Sequence, residues 1–332
     1  MNLRNGLLVG MVWLLCAVTA SAAPPTPQYR ISMIVYRGCE AACQGFVDYI
    51  RARGIPAAIE ILDAATDRQR MLAHIARVRR HKPDLVVTWG TTLTLEALGT
   101  YDGVDPARHI TDVPAVFMIV SNPVDARLVP DYRSSGRNIT GTRYLVSEEV
   151  QLKAARSYLP FERLAVIYNP QEKNSLQTLA NLRQQAAALG FTLIERQVKL
   201  AGGKPDPESL PGLVGEVVRA GAQLLYQPPD TFLLLHRAAL TGAAVTAGLP
   251  VFAASEAPVR DGQALMGVVN RYYTVGQLSA AQAERILLHK VSPSEIPIEA
   301  PRNFSFLVNM PVARMLKRYP PMQVLKIAEV IE

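Results

Sequence analysis

The sequence is short of the residues on which most enzymes and metal sites depend. It has three cysteines, two tryptophans and five histidines in 332 residues. His74, His81, His109, His236 and His289 stand singly, and none falls into HExxH or a similar metal-ligand spacing. There is no GxSxG nucleophile elbow, no Walker loop, and no nominated Ser-His-Asp set. Gly136-Arg137-Asn138-Ile139-Thr140-Gly141 has neither the spacing nor the placement of a dinucleotide loop. No metal, cofactor or catalytic residue is therefore expected. The densest basic run, Arg77-Val78-Arg79-Arg80-His81-Lys82, has no aromatic residue interleaved, which argues against nucleic acid.

Long hydrophobic runs are also scarce. Gly6 to Val18 is too short for a secure membrane span but suits the apolar core of a signal peptide, with Arg4 before it and Ala20-Ser21-Ala22 as a small-x-small cleavage site. Residues 1–22 are expected to be a signal peptide, residues 23–29 an extended leader, and the mature protein periplasmic. An uncleaved anchor and a lipoprotein at Cys16 are the alternatives; Leu15 is bulky where lipoprotein processing wants a small residue. Losing Arg4 lowers Lys+Arg from 35 to 34 against 28 acidic residues, so the charge falls from +7 to +6.

What the chain does contain is regular alternation. It is 49% hydrophobic and 19% charged, the balance of a folded protein of one large or two medium domains. Apolar strand-like segments at 31–36, 58–62, 85–88 and 114–120 alternate with helical spacings at 41–53, 67–80 and 91–98. A second series starts near Gly141: helices at 148–158, 176–189, 213–220, 233–247 and 275–288, and strands at 164–168, 192–197, 223–226, 251–254 and 265–269. A strand at 304–308 and a helix at 311–318 follow. Continuous apolar strands separated by helices are the mark of parallel sheets covered on both faces. Two α/β lobes with doubly wound parallel sheets are predicted, divided near Asn138 to Gly141. Segments after Asn270 are expected to cross back, giving 30–140 plus 271–297 for one lobe and 141–270 plus 298–332 for the other, the final segments shared across the hinge.

In such sheets ligands bind beyond the carboxyl ends of the strands, where helix N–H groups are unpaired. Small polar residues recur there: Arg37 after the first strand, Trp89-Gly90-Thr91-Thr92 after the third and Ser121-Asn122-Pro123 after the fourth. Asn169-Pro170, Pro228-Pro229-Asp230, Ala254-Ser255-Glu256 and Asn270 hold the corresponding places in the second half. Each has a plainer reading. Thr91 either caps a helix or binds; Asn122 and Asn169 either bind or are turn residues set by the following proline. Asp230 either caps a helix or receives a ligand ammonium. Trp89 either stacks on a ligand or fills core. Arg37 either forks onto a carboxylate or is solvated. Together they suggest two facing rims of hydrogen-bonding side chains.

Cys39 and Cys43 remain after processing. Two residues four apart on a regular helix hold their Cβ atoms about 5–6 Å apart, beyond the roughly 3.5–4.5 Å of a disulfide. A bond between them needs Cys39 in the loop before the helix, which Gly38 permits. A disulfide is expected; no histidine lies near enough in sequence to suggest a metal pair.

These segments resemble the periplasmic substrate-binding proteins of ABC importers, in particular a family with tryptophan-binding members often called TrpX-like. The resemblance runs from about Ile31 to Pro320. It rests on Val87-Thr88-Trp89-Gly90-Thr91-Thr92, Pro114 to Pro123, Gly136 to Gly141, Leu164 to Pro170 with Asn174-Ser175, Gln227-Pro228-Pro229-Asp230, Gly248 to Ala253, and Ile296-Pro297-Ile298-Glu299 with Asn309. It implies the type I periplasmic binding protein fold, two lobes joined by three crossovers that close on a solute. Hinges are expected near Thr140, Asn270 and Pro297. It places Thr91, Thr92, Ser121, Asn122, Asp230, Ser255 and Asn270 on the ligand rims, and implies a permease and an ATPase as partners. An aromatic or other hydrophobic amino acid is the solute expected, with Trp89 or Tyr144 facing its side chain. A sensory module serving a membrane receptor, and a small-molecule hydrolase on the same fold, are the alternatives. Trp89, the cysteine pair and the long 99–113 loop depart from the family pattern and bear on the ligand rather than the fold.

Overall fold

A computed structural model describes residues 28–332. The expected signal segment and the leader up to residue 27 lie outside the described residues. The first lobe is built from β1 (Tyr29–Val35), α1 (Ala41–Ala52), β2 (Ala57–Asp63), α2 (Arg68–His81), β3 (Leu85–Trp89), α3 (Thr91–Leu98), β4 (Ala115–Val120) and β5 (Ile139–Arg143). Its five strands run parallel in the order β2-β1-β3-β4-β5. Both faces of this sheet are apolar because both are covered. Met33 and Val87 pack on one side, Ile34 and Val86 on the other, and each such side chain contributes about 2 kcal/mol on burial.

The second lobe contains α4 (Glu148–Tyr158), β6 (Arg163–Tyr168), α5 (Lys173–Leu189) and β7 (Thr192–Gln197). A small hairpin, β8 (Leu200–Ala201) and β9 (Lys204–Pro205), leads to α6 (Leu210–Arg219) and β10 (Leu224–Gln227). There follow α7 (Thr231–Leu235), α8 (Arg237–Thr246), β11 (Val251–Ala253), α9 (Ala257–Arg260) and β12 (Met266–Val269). The helix predicted over 233–247 is thus two helices, broken at His236. The chain returns to the first lobe as α10 (Tyr272–Leu287). It then re-enters the second as β13 (Ser305–Asn309), α11 (Met310–Leu316), α12 (Met322–Leu325) and β14 (Ala328–Ile331). The seven-stranded sheet has the order β14-β13-β12-β11-β10-β6-β7, with β13 antiparallel to β12 and parallel to β14.

Three crossovers join the lobes: Arg143 to Glu148, Val269 to Tyr272, and Glu299 to Ser305. Two glycines seat the returning helix α10. A Cβ on Gly276 would fall 1.9 Å from the Ala42 carbonyl oxygen, and one on Gly45 would fall 2.1 Å from that of Tyr273. α1 and α10 therefore touch backbone to backbone. β5 locks the same region. Thr140 donates to the Ile296 carbonyl at 2.8 Å, and the Thr142 hydroxyl lies 2.8 Å from that of Ser279. Arg137 serves structure too, donating to the carbonyls of Leu98 and Gly99 at the end of α3. This is the two-lobed type I architecture, and it sets the carboxyl ends of the two parallel sheets face to face. Among the described residues no helix is long and apolar enough to cross a membrane.

Candidate functional site

A cavity of about 610 Å³ lies between the lobes. The first lobe lines it with Arg37, Trp89, Thr91, Thr92 and Ser121; the second supplies Asn169, Asp230 and Ser255, and Tyr144 comes from the first crossover. Nine of the eleven site residues predicted from sequence thus share one volume. Two do not line it. The Asn122 side chain is occupied by its own turn: its Oδ1 accepts the Tyr132 hydroxyl at 2.6 Å, and its Nδ2 donates to Asp125 at 2.5 Å. Asn270 is buried at the second crossover, where its amide holds the Tyr144 carbonyl at 2.7 Å. The cavity also includes Arg68 and Glu172, which sequence reasoning missed, and Tyr36, Asn174 and Tyr272, which stand in the segments it drew on but were not singled out as ligand-binding. Tyr272 follows Asn270-Arg271 at a strand end and was within reach of that signal. Glu172, an acid in a polar turn, carries no sequence signal.

Asp230 is the most constrained of these groups. Its Oδ1 accepts the Leu233 N–H at 2.9 Å, so it caps α7 as its position suggests. It is only 2% exposed, and among the described residues Oδ2 completes no hydrogen bond. Glu172 stands beside it, its carboxylate accepting the N–H groups of Thr231 and Phe232 at 2.9 and 3.0 Å. Burial first, then the Glu172 charge, push the Asp230 carboxyl up to about 7; the Leu233 N–H offsets part of this, helped by the nearby Ser175 hydroxyl and Asn169 N–H, which complete no hydrogen bond to it. A buried carboxyl with a free oxygen and an anionic neighbour has the chemistry to receive a cation.

The opposite wall is aromatic and hydroxylic. The Arg37 guanidinium sits 4.6 Å above the Trp89 ring and is forked onto Glu40 at 2.6 and 3.0 Å. Its fork is thus largely occupied, and it acts on Trp89 more than on open solvent. Cys39 and Cys43 form a disulfide in this loop, joining the residue before Glu40 to the first turn of α1. Trp89 is 4% exposed, and its indole N–H lacks a partner among the described residues. Thr91 does not cap α3; Gly90 does, and the Thr91 hydroxyl instead accepts the Ser121 N–H at 3.3 Å. Tyr144 and Tyr272 pack edge to face at 5.3 Å, with the Tyr144 hydroxyl 3.4 Å from that of Ser121. Ile119 has φ +57, costly for a β-branched residue. It falls where the β4–β5 register shifts, the local bulge that brings Ser121 to the cavity. Asn169 is a turn residue as well as a wall residue: its Oδ1 accepts the Gln171 N–H at 3.0 Å.

Two doubly wound lobes around a polar and aromatic crevice define a solute-binding protein of the clamp type. Residues 31–331 match the family described as ABC transporter substrate binding protein, and the chain belongs to it. It is similar, at 24% identity over 200 residues, to a tyrosine-binding protein of Clostridioides difficile (strain R20291); the match takes in 60% of this chain and 55% of that one, so the chain spans about half the length of that curated relative. Among solved structures it resembles a conserved domain protein from Vibrio cholerae (TM-score 0.79, 21% identity, 92% of this chain and 99% of that one). It also resembles a Streptococcus pneumonia ABC domain in complex with L-Trp (TM-score 0.76, 18% identity, 91% and 100%). A third is the ligand-free, open form of a substrate-binding protein with adhesive properties from Clostridium difficile (TM-score 0.69, 22% identity, 92% and 99%). At these identities the structural likeness establishes the fold. The family is one of solute-binding proteins rather than catalysts.

Proposed function

We propose that the protein is the solute receptor of an ABC importer and that its solute is an amino acid with an aromatic or other apolar side chain. The observation that carries this reading is Asp230, a buried carboxylate with an unpaired oxygen, in the same cavity as the hydroxyls at the start of α3. The ammonium would meet Asp230. The carboxylate would meet the N–H groups and hydroxyls of Thr91 and Thr92, where the helix end favours negative charge. The side chain would lie against Trp89, Tyr144 and Tyr272. Closing the lobes removes water and strengthens each polar contact. The names of the tyrosine-binding relative and the L-Trp complex support an amino acid without assigning one to this chain. On this reading residues 1–22 direct export to the periplasm, and the closed receptor delivers to a membrane permease driven by an ATPase.

The test is calorimetry of the mature protein against the twenty L-amino acids, repeated with Asp230→Asn. Asparagine keeps the acceptor that caps α7 and removes the charge. At least one aromatic or large apolar amino acid is expected to bind, about tenfold or more weaker in the variant, the loss that follows when a charge-assisted bond becomes a neutral one. Absence of binding by every amino acid, or equal binding by the variant, overturns the reading.

A further inference from the structure

A second cavity, of about 460 Å³, opens beside the crevice described above. It shares Thr91, Ser121 and Asn174 with that crevice but extends towards the first crossover and along α5. Both lobes wall it, Tyr132 on one side and Leu176 and Asn181 on the other, with Arg143 and Glu148 of the crossover between them.

Glu148 is 7% exposed. Its Oε2 accepts the Asn181 amide at 3.3 Å, and its Oε1 has no partner among the described residues. Its place at the start of α4 suits an anion, yet a helix end does not require an oxygen to be buried unpaired, which costs free energy. The terminal torsion of glutamate is soft, so either oxygen can turn to the cavity. Burial raises the pKa of Glu148, with Asp125 adding to it; the Asn181 amide opposes the rise, as do its own N–H and the Thr178 hydroxyl, which lie near without completing a hydrogen bond to it.

Glu148 and Asp230 serve different volumes. Asn174 donates to the Pro229 carbonyl next to Asp230, whereas Asn181, the partner of Glu148, stands seven residues further along α5, about 10 Å at 1.5 Å per residue. The charges in the second cavity balance. Arg127 is neutralised by Asp102, which leaves Arg143 and Lys173 facing Asp125 and Glu148. Arg143 lies 4.9 Å from the Tyr132 ring centre, a held cation beside a flat apolar face.

We propose that this cavity is a second solute site that takes a small zwitterion, an amino acid or a close relative, with its ammonium on Glu148 and its carboxylate towards Arg143 and Lys173. Because both lobes wall the site, occupancy favours the same closed arrangement as the main crevice.

The experiment is calorimetry with the full mature chain against the twenty L-amino acids, using Asp230→Asn to weaken the main crevice. One-site binding of at least one amino acid is expected to persist in Asp230→Asn. Adding Glu148→Gln weakens it tenfold or more, and adding Leu176→Trp blocks it. Leu176 is 42% exposed, so the larger side chain fills the mouth without disturbing a core and keeps the test sound should Glu148→Gln fold poorly. Loss of all binding in Asp230→Asn, or residual binding indifferent to both additions, overturns the proposal. Failure of the main-crevice reading looks different: wild type and Asp230→Asn then bind alike, and Glu148→Gln weakens both.

Discussion

At the scale of single residues, Asp230 ties affinity and stability to pH. An aspartate ordinarily ionises near 3.8, and here burial raises that to about 7. The folded, ligand-free protein therefore holds a proton that the unfolded chain releases at lower pH. The stability contributed by this group is complete below the ordinary value and is lost as pH rises through about 7. A bound ammonium reverses the preference, since it favours the carboxylate. Affinity is expected to rise with pH up to about 7 and then level off, with a proton released on binding at pH 6. Titrations at pH 6 in two buffers of different ionisation enthalpy measure that proton; none released and a flat profile from pH 5.5 to 8.5 would remove Asp230 from the ammonium. Asp230→Asn is expected to flatten both the binding profile and the fall in unfolding temperature between pH 5 and 8. The residue scale is also where sequence reading did best and worst. Asp230, Thr91, Ser121 and Trp89 were legible from their positions at strand ends. Asn122 was equally conspicuous, but Asp125 and Tyr132 claim its side chain. Glu172 was invisible because its role is set by the helix it caps, fifty-nine residues further on.

At the scale of elements, the hinge side of the first lobe depends on α10 lying directly on α1. Gly276→Ala places a methyl group within 1.9 Å of the Ala42 carbonyl oxygen, so the helices must separate. Overpacking of this kind costs about 1–3 kcal/mol, and backbone on both sides leaves little room for relief. The control is Gly212→Ala in α6, where an added Cβ meets nothing within 4 Å. It is expected to gain about 0.5–1 kcal/mol from helix propensity. Denaturant unfolding of the two variants should move in opposite directions. Equal effects would mean that α10 is not seated by its glycine. Most elements were legible from periodicity, including α3 at 91–98 and α4 at 148–158 with the bounds predicted. β5 and β14 were not. Ile139-Thr140-Gly141-Thr142-Arg143 lacks the apolar run of a buried strand, because its threonines bond to α10 and to Ile296 in the segment that follows it, and Gly141 lies against Phe117. Ala328 to Ile331 is a partly exposed edge strand with too little apolar pattern to register.

At the scale of the whole molecule, three short crossovers join the lobes, and α3 meets α5 across the gap. Spin labels at Glu96 on α3 and Gln177 on α5 report that gap. Without solute a broad distance distribution is expected. A saturating amino acid should collapse it to its short component, and Asp230→Asn should need about tenfold more ligand for the same change. A distribution unmoved by a ligand that calorimetry shows to bind would mean that closure is not the switch.

The sequence by itself determined the class of fold, because strands covered on both faces must be apolar throughout and their helices must alternate with them. It also named the strand ends where a solute would sit, since chain direction puts polar loops there. Tertiary structure alone decided which of those polar side chains share a cavity, how α10 returns to the first lobe and why Glu148 faces a second chamber. Such outcomes depend on contacts between residues far apart in the chain, and a side chain that can cap, turn or bind takes the role its distant neighbours leave open.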